Sequence, residues 1–146
     1  MEDQGVEAWA ALLRSHAAVV SRLEREMEAD RRLPLSWYDV LLSLARSRGL
    51  RMQDLADAVV LSRTRVSRVV DEMEAAELVE RRPNPADRRS TIVAITGKGR
   101  AAFRAAAPVY LSGIRRHFTD LLTADELECV RRALIKVVAA HATPPR

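Results

Sequence analysis

Between residues 78 and 95 the sequence abandons the helical spacing that governs almost all the rest of it. Residues 78–82 and 90–95 are short runs of extended character. The seven residues between them, Pro83-Asn84-Pro85-Ala86-Asp87-Arg88-Arg89, hold two prolines and an asparagine. Such a stretch cannot be helix interior, because a proline lacks a backbone donor and crowds the preceding turn. The pattern predicts a β-hairpin with a long basic tip.

The remainder reads as helices, in keeping with a composition rich in Ala, Leu, Arg and Glu and only 4% aromatic. Trp9, Leu12, Leu13, His16, Val19, Val20, Leu23 and Met27 recur at helical spacing, with Arg14, Arg22 and Arg25 opposite. They predict a long amphipathic helix that ends before Pro34, since proline disfavours helix at the preceding residue. Ser36, with Asp39 three residues on, predicts the N-cap and a weak capping-box partner of a second helix, and Gly49 is placed to end it. A short helix over about 52–59, a turn and a helix over about 62–76 precede the hairpin. Thr96 is placed to cap the next helix, in which Pro108 predicts a kink. Thr123 and Glu126 form a capping box for a last helix, expected to bury Leu127, Val130, Leu134, Val137 and Val138.

The helix over 62–76 divides into two faces. Val66, Val69, Val70 and Met73 fall at i, i+3, i+4 and i+7 and face a core. Ser62, Arg63, Thr64, Ser67, Arg68 and Asp71 point the other way, with Arg65 at the margin. The first half of this face thus holds arginines and hydroxyls and no acid. Arginine bonds guanine O6 and N7 in bidentate fashion, and Ser or Thr reaches bases and phosphates, so these are the groups a major-groove helix needs. Arg88 and Arg89, on a protruding tip, suit the narrow, strongly negative minor groove. Asp87 is read as holding one neighbouring guanidinium by a charge-assisted hydrogen bond. Short helix, turn, polar helix and basic hairpin follow one another in the order of a winged helix-turn-helix.

Charge is distributed unevenly. Residues 1–30 hold seven acids against three arginines, a balance of −4, whereas residues 81–104 reach +6, within a net charge of +4. A polyanion is drawn to one region and repelled by the other.

The run from Leu55 to Arg100 resembles the core of the multiple-antibiotic-resistance regulator (MarR) family. Leu78-Val79-Glu80-Arg81 matches the family's "LV-R" strand, Asp87-Arg88-Arg89 its Asp-x-Arg wing, and Ile95-Thr96-Gly97-Lys98-Gly99 its "LT-x-x-Gly" lead-in to the next helix. The family often has glycine before the recognition helix and before the "LV" strand, where this chain has Val59-Val60-Leu61 and Ala75-Ala76-Glu77. A β-branched residue or a glutamate tolerates positive φ poorly. The resemblance implies a mainly α fold with a small β-hairpin wing, in one domain over 1–146. A winged helix-turn-helix over about 36–100 would be flanked by dimerisation helices over about 6–30 and 101–142.

It also implies a sequence-specific regulator of transcription that binds double-stranded DNA, commonly a repressor released by a small aromatic or phenolic ligand. His16, Trp37 and Tyr38 are the residues placed to meet such a ligand. The first helix and the last two carry apolar stripes too wide to cover one another within a subunit, which points to a homodimer joined through Trp9, Leu12, Leu13, Val130, Leu134, Val137 and Val138. A two-fold dimer predicts a pseudo-palindromic operator with half-sites about one DNA turn apart.

Other chemistries find little support. The chain has no Gly-rich phosphate loop, His-Glu-x-x-His pattern or nucleophile elbow, so no enzyme is expected. His16, His117 and His141 lie far apart, and neither a metal nor a cofactor is expected. The single cysteine, Cys129, excludes an intrachain disulfide; a redox-responsive regulator using it is one alternative, disfavoured by Glu126 and Glu128 beside it. A winged-helix module binding a protein partner is the other. No apolar run approaches a membrane span, the acidic start is unlike a leader, and a reducing cytoplasm is the expected compartment.

Overall fold

The computed structural model describes residues 2–60 and 65–142. The elements run α1 (Glu2–Asp30), α2 (Leu35–Ala45), β1 (Leu50–Arg51), α3 (Met52–Ala58), α4 (Val66–Ala75), β2 (Val79–Asn84), β3 (Asp87–Ile95), α5 (Gly97–His117), a 3₁₀ turn (Thr119–Leu121) and α6 (Ala124–Ala140). The fold is mostly helical, with one small antiparallel sheet.

The core lies around α2, whose Leu35, Tyr38, Val40, Leu41 and Leu44 are all buried. Leu55 from α3, Val70 and Met73 from α4, Val79 from β2 and Val93 from β3 meet it with essentially no exposure. Each such side chain is worth roughly 1.5–3 kcal/mol relative to leaving it in water. From α1 the second half joins this core, through buried Leu23 and Met27 and the partly buried Val19 and Val20. The helix predicted over 62–76 is described from Val66 onward, with Val66, Val69, Val70 and Met73 buried as its period requires.

Of the three caps read from the sequence, two form and one does not. Thr96 Oγ1 accepts the N–H of Gly99 at 2.9 Å, and Thr123 and Glu126 exchange both bonds of a capping box. Ser36, however, does not cap α2. The helix begins two residues earlier than a Ser36 cap would have it, behind Pro34, whose carbonyl accepts the N–H groups of Trp37 and Tyr38. Asp39 is correspondingly no capping partner; its side chain is turned inward and buried. Helix α5 runs unbroken through Pro108.

The hairpin differs from its sequence reading. Its strands pair from Val79↔Ile95 to Pro83↔Thr91 and close, after a bulge, at Asn84↔Asp87, so the turn proper is only Pro85-Ala86. Two features make this possible. The sheet order is β1-β3-β2, so Pro83 sits on an edge strand where a missing donor is tolerated. Asn84 is buried, accepts the Ala86 N–H on Oδ1 and donates from Nδ2 to Ser90 Oγ, replacing the bonds that the bulge interrupts. The two-residue β1, paired through Leu50↔Val93 and Arg51↔Ile92, is too short to show in any period.

Helix α6 has no buried residue. Leu134, Ile135, Val137 and Val138 are exposed, as are Val6, Trp9, Leu12 and Leu13 on the first half of α1. The burial predicted for the last helix is thus not supplied by its own chain. The reason is geometric: α1 meets α5 through its later turns, around Leu23 and Glu26, leaving both stripes open.

Candidate nucleic-acid interface

Helix α4 turns its buried valines inward and thereby presents Arg65, Ser67 and Arg68 to solvent. The Arg68 side chain is 76% exposed and makes a long contact, 3.3 Å, with Glu72 one turn on. Such an exposed i,i+4 pair is weak and opens readily. Arg65 has no ion-pair partner among the described residues. Ser62, Arg63 and Thr64 lie outside the described residues.

Two acids of the second half of α4, Asp71 and Glu74, are held by the wing. Arg81, on β2, donates from Nη2 to Asp71 Oδ1 at 2.5 Å and from Nη1 to Glu74 Oε1 at 2.9 Å, while its backbone N–H donates to Glu74 Oε2 at 3.0 Å. Partial burial of the guanidinium opposes its charge, yet the two carboxylates outweigh that and raise its pKa. Asp71 lies three and four residues beyond Arg68 and Ser67, on the same helical face. The base of the wing therefore abuts the face that carries Ser67 and Arg68, and Arg81 neutralises the acids there.

At the wing tip Arg88 and Arg89 are exposed and unpaired among the described residues. Asp87 does not clamp a guanidinium by hydrogen bond; its Oδ1 accepts the backbone N–H of Arg89 at 2.9 Å. A carboxylate followed two residues on by a free N–H closes a local turn at no chain cost, and so it shapes the tip and leaves both arginines available. Behind the tip, Arg82 pairs with Glu80, and Arg51 with Asp54. Sequence reasoning missed two members of this region. One is the Arg81 latch, whose only signal was its place in the "LV-R" run. The other is the buried Asp39, whose Oδ2 accepts the N–H of Val60 at the end of α3.

The ligand and dimer residues fall as follows. Tyr38 is buried against α5, its ring 4.9 Å from that of Phe103 and 4.4 Å from that of Tyr110. Burial, aided by Tyr110, pushes its phenol up to about 12. Trp37 is half-buried at the edge of the core. His16 is exposed on α1 and lines a shallow groove of about 220 Å³ with Leu12, Val19 and Phe118. A cleft of about 460 Å³ at the α1–α2 turn, lined by Met27, Arg31, Arg32, Leu35 and Ser36, includes none of these three. Trp9, Leu12, Leu13, Leu134, Val137 and Val138 are exposed and Val130 is half-exposed. Cys129 is exposed on α6, beside the Glu128–Arg131 pair. No helix is long and apolar enough to cross a membrane among the described residues.

Comparison with known proteins places this arrangement. The model of the MarR family matches residues 33–90. AbsC, a MarR family transcriptional regulator from Streptomyces coelicolor, is 33% identical over 97% of this chain and 95% of its own, and superposes with a TM-score of 0.82. The chain belongs to the MarR family. A second MarR regulator from Streptomyces coelicolor, Sco3205, solved in complex with DNA, is 27% identical, covers 99% of this chain and 94% of its own, and has a TM-score of 0.84. The fold is shared more distantly with BpsR of Bordetella bronchiseptica, solved in work on the regulation of its DNA binding by 6-hydroxynicotinic acid. It is 23% identical over 90% of this chain and 98% of its own, with a TM-score of 0.78. As a MarR protein the chain is a transcriptional regulator whose β2–β3 hairpin is the wing.

Proposed function

We propose that this MarR protein is a homodimeric repressor that reads a pseudo-palindromic operator in double-stranded DNA. Helix α4 enters the major groove with Arg65, Ser67 and Arg68 foremost, joined by Ser62, Arg63 and Thr64, and the wing sets Arg88 and Arg89, shaped by Asp87, in the flanking minor groove. The observation that carries this reading is the sorting of charge around α4. Its acids are taken up by Arg81 and Arg68, while Arg65, Arg88 and Arg89 keep no carboxylate partner among the described residues. A surface built for a protein partner has no need of that separation.

The open apolar stripes of α1 and α6 supply the dimer contact, through Trp9, Leu12, Leu13, Val130, Leu134, Val137 and Val138. Exposed runs of this size on a lone subunit mark an interaction site. Release by a small aromatic or phenolic ligand rests on BpsR and on the aromatic junction between α2 and α5, where Tyr38 stands with Trp37 beside it, while His16 would act from the separate groove it shares with Phe118.

Selection of bound duplexes from a random library tests the reading, followed by a salt titration on the recovered sequence. Phosphate contacts from this many arginines should give a log–log slope steeper than about −4, and the recovered site should be an inverted repeat. A flat salt response, or no enriched sequence, would favour the protein-partner module instead. Aromatic acids are then screened for release of the recovered duplex.

A further inference from the structure

Asp39 stands out within α2. Its neighbours Tyr38, Val40 and Leu41 are apolar core residues, yet a carboxylate sits among them at 7% exposure. Taking a carboxylate out of water is unfavourable unless hydrogen bonds replace the water it loses. One bond it accepts reaches twenty-one residues along the chain: Val60 N–H donates to Asp39 Oδ2 at 3.1 Å.

The position of that donor explains its need. Helix α3 closes at Val59, whose N–H still returns to the Leu55 carbonyl but whose backbone is extended, with ψ 140°. The N–H of Val60 is thus the first to leave the helical ladder, and Asp39 receives it. The Val60 side chain meanwhile stays 75% exposed, so it is the backbone of this turn, not its side chain, that is tied to the core.

On its other side Asp39 is bound to the register of α2 on α5. The preceding residue, Tyr38, stacks on Phe103 and lies tilted against Tyr110. Ser43 Oγ, one turn on, donates to the Asp39 carbonyl. Tyr110 lies close enough that the Asp39 charge adds to burial in holding its phenol above the ordinary range. The α5 aromatic cluster and the turn after α3 are therefore held by adjacent residues of α2, Tyr38 and Asp39.

We propose that Asp39 is a positioning residue for operator recognition, holding the turn after α3 in register with the α2–α5 junction and so setting where the chain leaves for the recognition helix. This rests on the DNA-binding reading above for its consequence, but not for the anchor itself.

Three variants test it: Asp39→Ala, which removes the acceptor; Asp39→Asn, which keeps an oxygen in the same place without the charge; and Val60→Pro, which removes the donor alone. Proline at 60 suits its neighbour, because Val59 already has the extended backbone that a following proline demands. Hydrogen exchange of residues 56–60 should quicken at least about tenfold in Asp39→Ala while the 97–117 segment keeps its protection, and Asp39→Asn should restore it. On the duplex selected by the wild-type protein, the ratio of operator to random-duplex affinity should fall at least about tenfold in Asp39→Ala and Val60→Pro, with random-duplex binding unchanged.

Unchanged exchange in Asp39→Ala, or an acceleration shared equally by 97–117, would reduce Asp39 to an ordinary core residue and overturn the proposal. So would an unchanged affinity ratio in Val60→Pro. An Asp39→Asn protein that behaves like Asp39→Ala would rule out the hydrogen bond as the anchor. Failure of the wild-type protein to select any duplex would sink the DNA-binding reading and with it the role in recognition, while the exchange measurement would still decide whether the anchor exists.

Discussion

Glu26 of α1 and His117 of α5 meet carboxylate to imidazole at 2.5 Å, ninety-one residues apart in the chain, and Arg116 adds a second contact to the same oxygen at 2.7 Å. The hydrogen bond from His117 is the chief cause that holds the Glu26 carboxyl below its ordinary value of 4.5, with the charges of Arg116 and His117 assisting against partial burial. Arg116 is largely exposed and contributes little by itself. Glu26→Gln should cost about 1–2 kcal/mol at neutral pH. A depressed carboxylate contributes its stability above its unfolded value and loses it as pH falls through the lower folded value. The difference in Tm between wild type and variant should therefore be full at neutral pH and shrink below about pH 4.5. A gap that stays constant into acid would contradict the assignment.

Gly99 marks the closest approach in the winged region. A Cβ there would lie 2.0 Å from the Leu78 carbonyl oxygen and 3.0 Å from Ile95 Cγ1. That oxygen already accepts the Thr96 N–H and cannot retreat cheaply. Gly99→Ala should lower stability by at least about 2 kcal/mol, read as a fall in the urea midpoint at unchanged slope. Gly97, two residues earlier, has open space around it. Gly97→Ala should therefore stay within about 0.5 kcal/mol.

Glu77 occupies the left-handed position, φ 62°, that ends α4. Leu78 N–H returns to the Met73 carbonyl and Glu77 N–H to that of Glu74, the paired bonds of a glycine-type helix ending made here by a glutamate. Its side chain offers only an exposed 3.4 Å contact with Lys98 in compensation. Glu77→Gly should raise stability by about 1 kcal/mol and lift Tm by several degrees, since the strain relieved exceeds the backbone entropy added. A lower Tm would mean that the Lys98 contact outweighs the strain.

Arg81 and the wing-tip arginines should separate by salt dependence. Arg81→Met leaves Asp71 and Glu74 uncompensated on the side of α4 proposed to meet DNA, so operator affinity should drop about tenfold or more with the salt slope nearly unchanged. Arg88→Ala with Arg89→Ala should instead flatten the slope by about one to two units while the protein melts as before. The same slope change in both proteins would place Arg81 on a phosphate and dismiss the latch.

The open stripes of α1 and α6 predict the state of assembly. Val138 is 70% and Trp9 60% exposed on the single chain. Val138→Asp or Trp9→Asp should leave the winged region folded but shift sedimentation from dimer to monomer, with operator affinity lost in parallel. A wild-type protein that sediments as a monomer at micromolar concentration would remove the basis for a paired half-site.

The regular helices were open to reading because their information is local. The buried valines of α4, the Thr96 and Thr123 caps and the awkward backbone at Glu77 follow from residues three or four apart. The exposure of Ser67, Arg68, Arg88 and Arg89 was legible for the same reason. The wing tip was less so: two prolines suggested a seven-residue loop, whereas an edge position and the Asn84 side chain allow a two-residue turn. Ser36 looked like a better cap than Pro34, and Asp39 like a capping partner, because a side chain's inward or outward direction depends on elements elsewhere in the chain.

From residue order alone follow the sites of helix and hairpin, the apolar faces and the basic groups clear of acids, since each is set by spacing within a few residues. The partners of Asp39, Arg81 and Glu26 came only with the folded chain. A carboxylate's character is written at its own position, but which donor it meets depends on how distant segments close upon one another, and no local rule specifies that.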